Sequence, residues 1–244
     1  MLLSRKISER SIIETVTYSK RFLSSTLSLQ ENNAEDGKLE KVVKYGSLSR
    51  AQRAFLDRVI RVDQAGELGA NLIYNGQYLA LSHTLPEIKP ILKHMWEQEI
   101  HHHNTFNKYQ VERRVRPSLL TPLWKLGAIS LGLGTGIMGK EAAMACTEAV
   151  ETVIGGHYTE QLRVLLNNFE VETFDPETGK LLKEKLTSEE VKELTETIGH
   201  FRDDELEHLD TAVEHDAHGA RPYWLLTEAI KLACRGAIWT AERV

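Results

Sequence analysis

The sequence has few cysteines and no long uncharged run, and each shortage excludes a class of protein. The two cysteines, Cys146 and Cys234, form no CxxC pattern, so the sequence predicts neither a disulfide scaffold nor a thiolate metal site. We expect free thiols in a reducing compartment. The uncharged stretch at 126–138 is shorter than the roughly 20 residues that span a bilayer, and it indicates a short buried or membrane-surface helix.

A basic stripe interleaved with aromatic residues is also missing. The net charge is −5, and residues 1–24 hold five basic side chains against two acidic ones, so the remainder of the chain is acidic. An acidic body argues against binding to a phosphate backbone. We therefore expect no nucleic-acid partner.

The N-terminal composition differs from that of the rest of the chain. Residues 1–30 are basic, rich in serine and threonine, and compatible with an amphipathic helix, which is typical of an organelle transit peptide. Glu9 and Glu14 are atypical of such a peptide and leave an ordinary disordered N terminus as the alternative. The polar segment 31–46 predicts a linker, and residues 47–244 are expected to form the folded domain.

Apolar residues recur at helical spacing through most of the folded domain. The pattern predicts four long helices and a final amphipathic helix, at about 48–81, 86–115, 139–169, 188–215 and 223–241. Residues 170–186 are predicted to be a charged loop, since Asp175 and Gly179 signal turns. Gly66 and Gly69 cost the first helix about 1 kcal/mol each relative to alanine, which predicts close packing at these positions.

Two stretches are more apolar than a bundle needs. The segment 119–138 and the final helix are both compatible with closing the bundle or with lying on a membrane surface. Tryptophans at their ends, Trp124, Trp224 and Trp239, suit the interfacial position.

Two Glu-x-x-His motifs, Glu99-x-x-His102 and Glu205-x-x-His208, carry the first chemical signal. Residues three apart share a helix face, so each motif places a carboxylate beside an imidazole. About one such match is expected by chance in a chain of this composition, so the motifs need support from their surroundings.

An internal repeat provides that support. Alignment of position 67 with position 151 matches three pairs of identical side chains: Glu67 with Glu151, Tyr74 with Tyr158, and Gln77 with Gln161. In a ferritin-like two-metal site, a helix with one glutamate is followed by a helix with Glu-x-x-His, and this pair of helices occurs twice. The repeat in this chain matches that ligand pattern. We predict an all-α, ferritin-like four-helix bundle built from a two-helix repeat, with an apolar inter-repeat helix and a C-terminal amphipathic helix.

The repeat predicts six metal ligands: Glu67, Glu99, His102, Glu151, Glu205 and His208. Four carboxylates and two imidazoles suit iron or manganese, whereas zinc or copper sites more often recruit further His or Cys. Each residue taken alone is more often part of a solvated helix face. Glu67 and Glu151, however, lie among small apolar residues, where an unpaired buried carboxylate is costly unless it meets a cation.

The chain resembles the mitochondrial 5-demethoxyubiquinone hydroxylases of coenzyme Q biosynthesis in four segments: VDQAGELGA at 62–70, MWEQE at 95–99, GKEAAMACT at 139–147 and FRDDELEH at 201–208. The resemblance runs from about Leu56 to the C terminus. It implies a di-iron monooxygenase, peripheral on the matrix side of the mitochondrial inner membrane, that hydroxylates a demethoxyubiquinone intermediate of the 2-methoxy-6-polyprenyl-benzoquinone type. The implied cosubstrates are dioxygen and NADH.

The resemblance also implies roles for individual residues and partners. Glu99 and Glu205 match bridging ligands of two iron ions, and His157 and Tyr158 match a pair that relays electrons or protons. Asp204 is a candidate hydrogen-bond acceptor for a ligand imidazole. The implied partners are a lipid-binding accessory protein, other coenzyme Q synthesis enzymes and the inner-membrane lipid surface, and a homo-oligomer is left open. A ferritin-like iron-storage protein and a manganese catalase are the alternatives.

Overall fold

The computed structural model describes residues 43–244, which form six α-helices and a small antiparallel sheet. The predicted transit peptide at 1–30 and most of the predicted linker at 31–46 lie outside the described residues. The helices are α1 (Arg50–Leu81), α2 (Lys89–Glu112), α3 (Thr121–Met138), α4 (Lys140–Asn168), α5 (Glu189–Glu214) and α6 (Tyr223–Ala241). The strands are β1 (Lys44–Tyr45), β2 (Glu170–Phe174) and β3 (Leu181–Thr187). The predicted helical bundle is confirmed.

Local sequence sets the helix ends. The Ser49 hydroxyl accepts a hydrogen bond from the Gln52 backbone N–H, and the Gln52 side chain accepts one from the Ser49 N–H, which forms a capping box at the start of α1. Two glutamates in the first turn of α5 interact favourably with the helix dipole. Gly139 adopts a φ of 117° between α3 and α4, a conformation that favours glycine.

The four long helices α1, α2, α4 and α5 surround a core with two parts. The first part contains Phe106, Tyr158, Phe169 and Phe201 together with aliphatic residues such as Leu56 and Leu165. The second part contains Tyr74 together with Leu81, Leu92, Met95, Ala143, Met144 and Ala212. On each of the four helices, the predicted metal ligands fall between the residues of these two parts. Apolar packing therefore surrounds the ligands on both sides.

The segment 170–186 is a β-hairpin, so the predicted charged loop was wrong. β2 and β3 pair antiparallel, with Glu170 opposite Thr187, and β1 pairs with the other edge of β2. Val171 and Thr173 are buried, whereas their neighbours Glu170 and Glu172 are exposed, which is the alternation of a half-buried strand. The turn was predicted correctly, but it connects two strands. These strands are short and highly charged, so the sequence pattern did not indicate them.

The apolar stretch after α2 forms a helix, α3, that packs closely on α1. A Cβ added to Gly76 of α1 would lie 2.6 Å from the backbone nitrogen of Leu133. A Cβ on Gly132 of α3 would collide with the Ile73 backbone. The two helices therefore approach each other through glycine.

Within residues 43–244, no helix combines the length and the hydropathy that a bilayer span requires.

The glycine contact predicts a difference between two substitutions in α3. We expect Gly132→Ala to lower the free energy of unfolding by about 1–3 kcal/mol, because the new methyl group overpacks against the α1 backbone. Gly134→Ala is the matched control, because no atom lies within 4 Å of its added Cβ. The control should raise stability by up to about 1 kcal/mol. Urea unfolding followed by circular dichroism measures both, and equal effects would contradict the packing.

Candidate metal centre

The structure brings the six predicted ligands together in the bundle interior. Each is at most 1% exposed: Glu67 on α1, Glu99 and His102 on α2, Glu151 on α4, and Glu205 and His208 on α5. Their ligand atoms form two groups, each within 4.8 Å: Glu67, Glu99, His102 and Glu205, and Glu99, Glu151, Glu205 and His208. Glu99 and Glu205 belong to both groups, which is the position expected of bridging carboxylates.

The atoms that face this centre have no hydrogen-bond partner. They are Oε2 of Glu67 and Glu151, both carboxylate oxygens of Glu99 and Glu205, and Nδ1 of His102 and His208. Nδ1 of His102 lies 3.2 Å from a Glu205 oxygen, and Nδ1 of His208 lies 3.2 Å from a Glu99 oxygen. Buried polar atoms are normally paired, so these converging donors fit a pair of divalent cations with oxygen and nitrogen ligands.

The electrostatics of the cluster favour a cation. Burial raises the pKa of Glu99 and of Glu151 well above the ordinary value, and the nearby Glu205 carboxylate raises both further. Burial also raises the pKa of Glu205, but contacts with the two imidazoles outweigh it and lower that pKa to about 2. Four buried carboxylates thus face only two imidazoles, and a buried carboxylate without a matching positive charge is costly. Bound metal ions would supply that positive charge.

In each imidazole, the ring nitrogen that faces away from the cluster contacts a residue of the other Glu-x-x-His helix. Nε2 of His102 lies 3.0 Å from Oδ2 of Asp204, and Nε2 of His208 lies 3.0 Å from Oε1 of Gln98. An Nε2–H that donates to these oxygens leaves the Nδ1 lone pair directed at the centre. Asp204 was expected in this role. Gln98 was missed, although it precedes Glu99 as Asp204 precedes Glu205.

Two tyrosines hold the outer carboxylates across the bundle. The Tyr74 hydroxyl donates to Oε1 of Glu151 at 2.8 Å, and the Tyr158 hydroxyl donates to Oε1 of Glu67. Each tyrosine thus bonds to the glutamate of the other half of the chain. Sequence reasoning singled out Tyr158 alone, although the aligned position of Tyr74 was a signal for the same role. The two-helix repeat itself stays a prediction.

His157 lies outside the metal cluster, at a polar cleft. Its side chain is 18% exposed, and its Nε2 lies 2.9 Å from Nε2 of Gln161. The same Gln161 amide donates to Asp63 at 2.7 Å, a buried carboxylate that sequence reasoning missed. The cleft is also lined by Glu160, Arg235, Trp239 and Glu242. His157 is therefore partly exposed to solvent and lies on the same turn of α4 as the buried Tyr158.

Comparison with known proteins identifies the family. The family model described as "Ubiquinone biosynthesis protein COQ7" matches residues 54–241. The chain belongs to the COQ7 family. The predicted resemblance is thereby confirmed.

Named relatives agree with this family. A Saccharomyces cerevisiae protein, "5-demethoxyubiquinone hydroxylase, mitochondrial", is 57% identical over 98% of this chain and 100% of its own length. A mouse protein, "NADPH-dependent 3-demethoxyubiquinone 3-hydroxylase, mitochondrial", is 44% identical over 81% of this chain and 82% of its own. A Rhodospirillum rubrum protein, "3-demethoxyubiquinol 3-hydroxylase", is 40% identical over 78% of this chain and 79% of its own.

This COQ7-family chain also has an apolar cavity of about 390 Å³ between α1, α3, α4 and α6. Gly66 and Gly69 line it, and no atom lies within 4 Å of a Cβ added to either. The close packing predicted at these glycines was therefore wrong. The missing side chains instead leave open space along the helix that carries Glu67.

We expect Glu205→Ala to abolish metal binding while the helical fold remains, because Glu205 belongs to both ligand groups. Elemental analysis of the purified protein and circular dichroism measure the two effects. Ferrous iron should raise the melting temperature of the wild type and leave that of the variant unchanged.

The exposed Glu207 on the same helix provides the control. Glu207→Ala should retain the metal content of the wild type. A Glu205→Ala protein with wild-type metal content would overturn the assignment of the centre.

Proposed function

We propose that this chain is a di-iron monooxygenase that hydroxylates the ring of a polyprenyl demethoxyubiquinone intermediate in ubiquinone biosynthesis. The observation that supports it most is the buried cluster of unpartnered carboxylate and imidazole atoms, in a bundle that also contains an apolar cavity. The names of the relatives specify the same reaction class. None of these names describes an iron-storage protein or a manganese catalase.

The proposed reaction replaces a ring C–H bond with C–OH. One atom of dioxygen enters the ring and the other leaves as water, while a reduced nicotinamide nucleotide supplies two electrons as hydride and the medium supplies a proton. When bound, the iron pair supplies the one-electron and dioxygen chemistry that amino-acid side chains lack.

The side chains of the cluster have distinct proposed roles. Glu99 and Glu205 would bridge the two ions, while Glu67 with His102 and Glu151 with His208 would hold one ion each. The hydroxyls of Tyr74 and Tyr158 fix one oxygen of each outer carboxylate, so the second oxygen points at the centre. These contacts preorganise the site before substrate enters.

The apolar cavity is the proposed site of the quinone. Its walls include Ala70, Ile73, Val150 and Ile154, and Val150 directly precedes the ligand Glu151 in the chain. An apolar wall excludes water from a reacting ring. A quinone bound here would lie beside the helices that carry Glu67 and Glu151.

The polyprenyl tail and the membrane are proposed to meet at α3 and α6, which both line the cavity. Their exposed side chains include Leu123, Leu126, Ile137, Trp224, Leu225, Leu232 and Trp239. Large exposed apolar side chains mark contact surfaces, and tryptophan favours the membrane interface. We propose peripheral binding to the matrix side of the mitochondrial inner membrane, with residues 1–30 directing import. The accessory protein and a homo-oligomer stay predictions.

The polar cleft at His157 is the proposed approach of the reductant. Arg235 supplies a positive charge there between the acidic Glu160 and Glu242, and His157 is followed in the chain by Tyr158, which bonds to Glu67. The family resemblance implies NADH, whereas the name of the mouse relative specifies NADPH. Turnover of the purified enzyme with each nucleotide at equal concentration decides between them.

We expect a large side chain at position 69 to fill the cavity and slow quinone hydroxylation. Because steric mismatch in an apolar pocket is worth about 1–3 kcal/mol even for one methylene, a ring that occupies the proposed quinone space in Gly69→Phe should lower kcat/KM for the quinone by at least about 10-fold. Iron content should not change, since Gly69 is not a ligand. Gly134→Phe, at an exposed glycine of α3, is the control. An unchanged kcat/KM in Gly69→Phe would exclude this cavity as the quinone site.

We expect cells that lack this protein to accumulate the demethoxy intermediate and to lose ubiquinone. Mass spectrometry of extracted quinones measures both species. Re-expression of the wild type should restore ubiquinone. Normal ubiquinone in the deletion strain, or a large iron-filled shell on size exclusion, would reject the proposed reaction.

A further inference from the structure

The two candidate metal positions differ in the residue that contacts Nε2 of the histidine. His102 is held by the carboxylate of Asp204, whereas His208 is held by the neutral amide of Gln98, at the same distance of 3.0 Å. Asp204 and Gln98 occupy matching places, each directly before the glutamate of a Glu-x-x-His motif. The two contacts therefore match in position and distance but differ in the charge of the acceptor.

The remaining contacts of the two positions are closely matched. Each outer glutamate accepts a hydrogen bond from a tyrosine, Glu67 from Tyr158 and Glu151 from Tyr74. Glu99 and Glu205 belong to both ligand groups. The ligands thus give neither position an excess of carboxylates. The buried Asp63, one turn before Glu67, has Thr147 at the aligned position before Glu151, but its hydrogen bond goes to Gln161. The contact behind the imidazole is therefore the polar difference that touches a ligand side chain.

A carboxylate and an amide affect a ligand imidazole differently. An N–H that donates to a carboxylate forms a charge-assisted hydrogen bond, which is stronger than one to a neutral oxygen. That bond makes the opposite ring nitrogen a better electron donor to a metal ion. Asp204 also adds a negative charge near the His102 position, which attracts a divalent cation.

We infer that the metal position at His102 fills first and binds ferrous iron more tightly than the position at His208, and that Asp204 sets this order. Asp204 acts through His102 and is therefore a positioning residue. The inference rests on the proposed function, because it requires a two-iron centre. It assigns an order and a cause that the ligand set alone does not contain.

Anaerobic titration of the full-length protein with ferrous iron, against a competing chelator, tests the inference. The wild type should bind two ions with two separate dissociation constants. Asp204→Asn should raise the smaller constant about 10- to 100-fold and leave the larger one close to its wild-type value. Gln98→Glu should lower the larger constant, because it places a carboxylate behind His208.

Asp210→Asn makes the same chemical change at an exposed position of α5 and should leave both constants unchanged. Circular dichroism of each variant establishes the fold, and Gln98→Glu provides an answer if Asp204→Asn does not fold. Two ions with equal constants, or an effect of Asp204→Asn confined to the weaker step, would overturn the inference and leave the proposed function standing. Absence of iron binding by the wild type would overturn both.

Discussion

Four buried carboxylates facing one another are the constraint on which the rest of the structure depends. Glu67, Glu99, Glu151 and Glu205 are each at most 1% exposed, and six of their oxygens have no hydrogen-bond partner. Such a cluster is unfavourable unless cations occupy it. Two histidines complete the cluster, and two tyrosines, the Gln98 amide and the Asp204 carboxylate contact the atoms that face away from the centre. A helical bundle suits this purpose because each of its four long helices presents its ligands to one interior.

The outer helices α3 and α6 add an apolar cavity and a polar cleft beside the long helices of the bundle. α3 lies close to α1 through Gly76 and Gly132, yet the same α1 helix leaves open space at Gly66 and Gly69. Glycine thus permits contact at one end of the helix and a cavity further along it. The apolar cavity and the polar cleft at His157 both adjoin α4, and under the proposed function they would admit the quinone and the nucleotide separately.

The sequence was sufficient to predict the helices and the six side chains that converge in the interior, because both follow from regular spacing: apolar residues recur along each helix, and the two halves of the chain align. The hairpin at 170–187 was missed because only Val171 and Thr173 are buried in β2, too few for a visible alternation. Gly66 and Gly69 were misinterpreted because a glycine marks either contact or open space, and only the neighbouring helix decides between them. Gln98 was missed because the sequence alone does not show which imidazole its amide contacts.

The most direct test of the account is diffraction at the iron absorption edge from crystals loaded anaerobically with ferrous iron. The account predicts two anomalous peaks about 3.5–4 Å apart in the bundle interior, each beside one of the two histidines and both beside Glu99 and Glu205. Iron found only at exposed histidines or acidic surface residues, with an empty bundle interior, would contradict it.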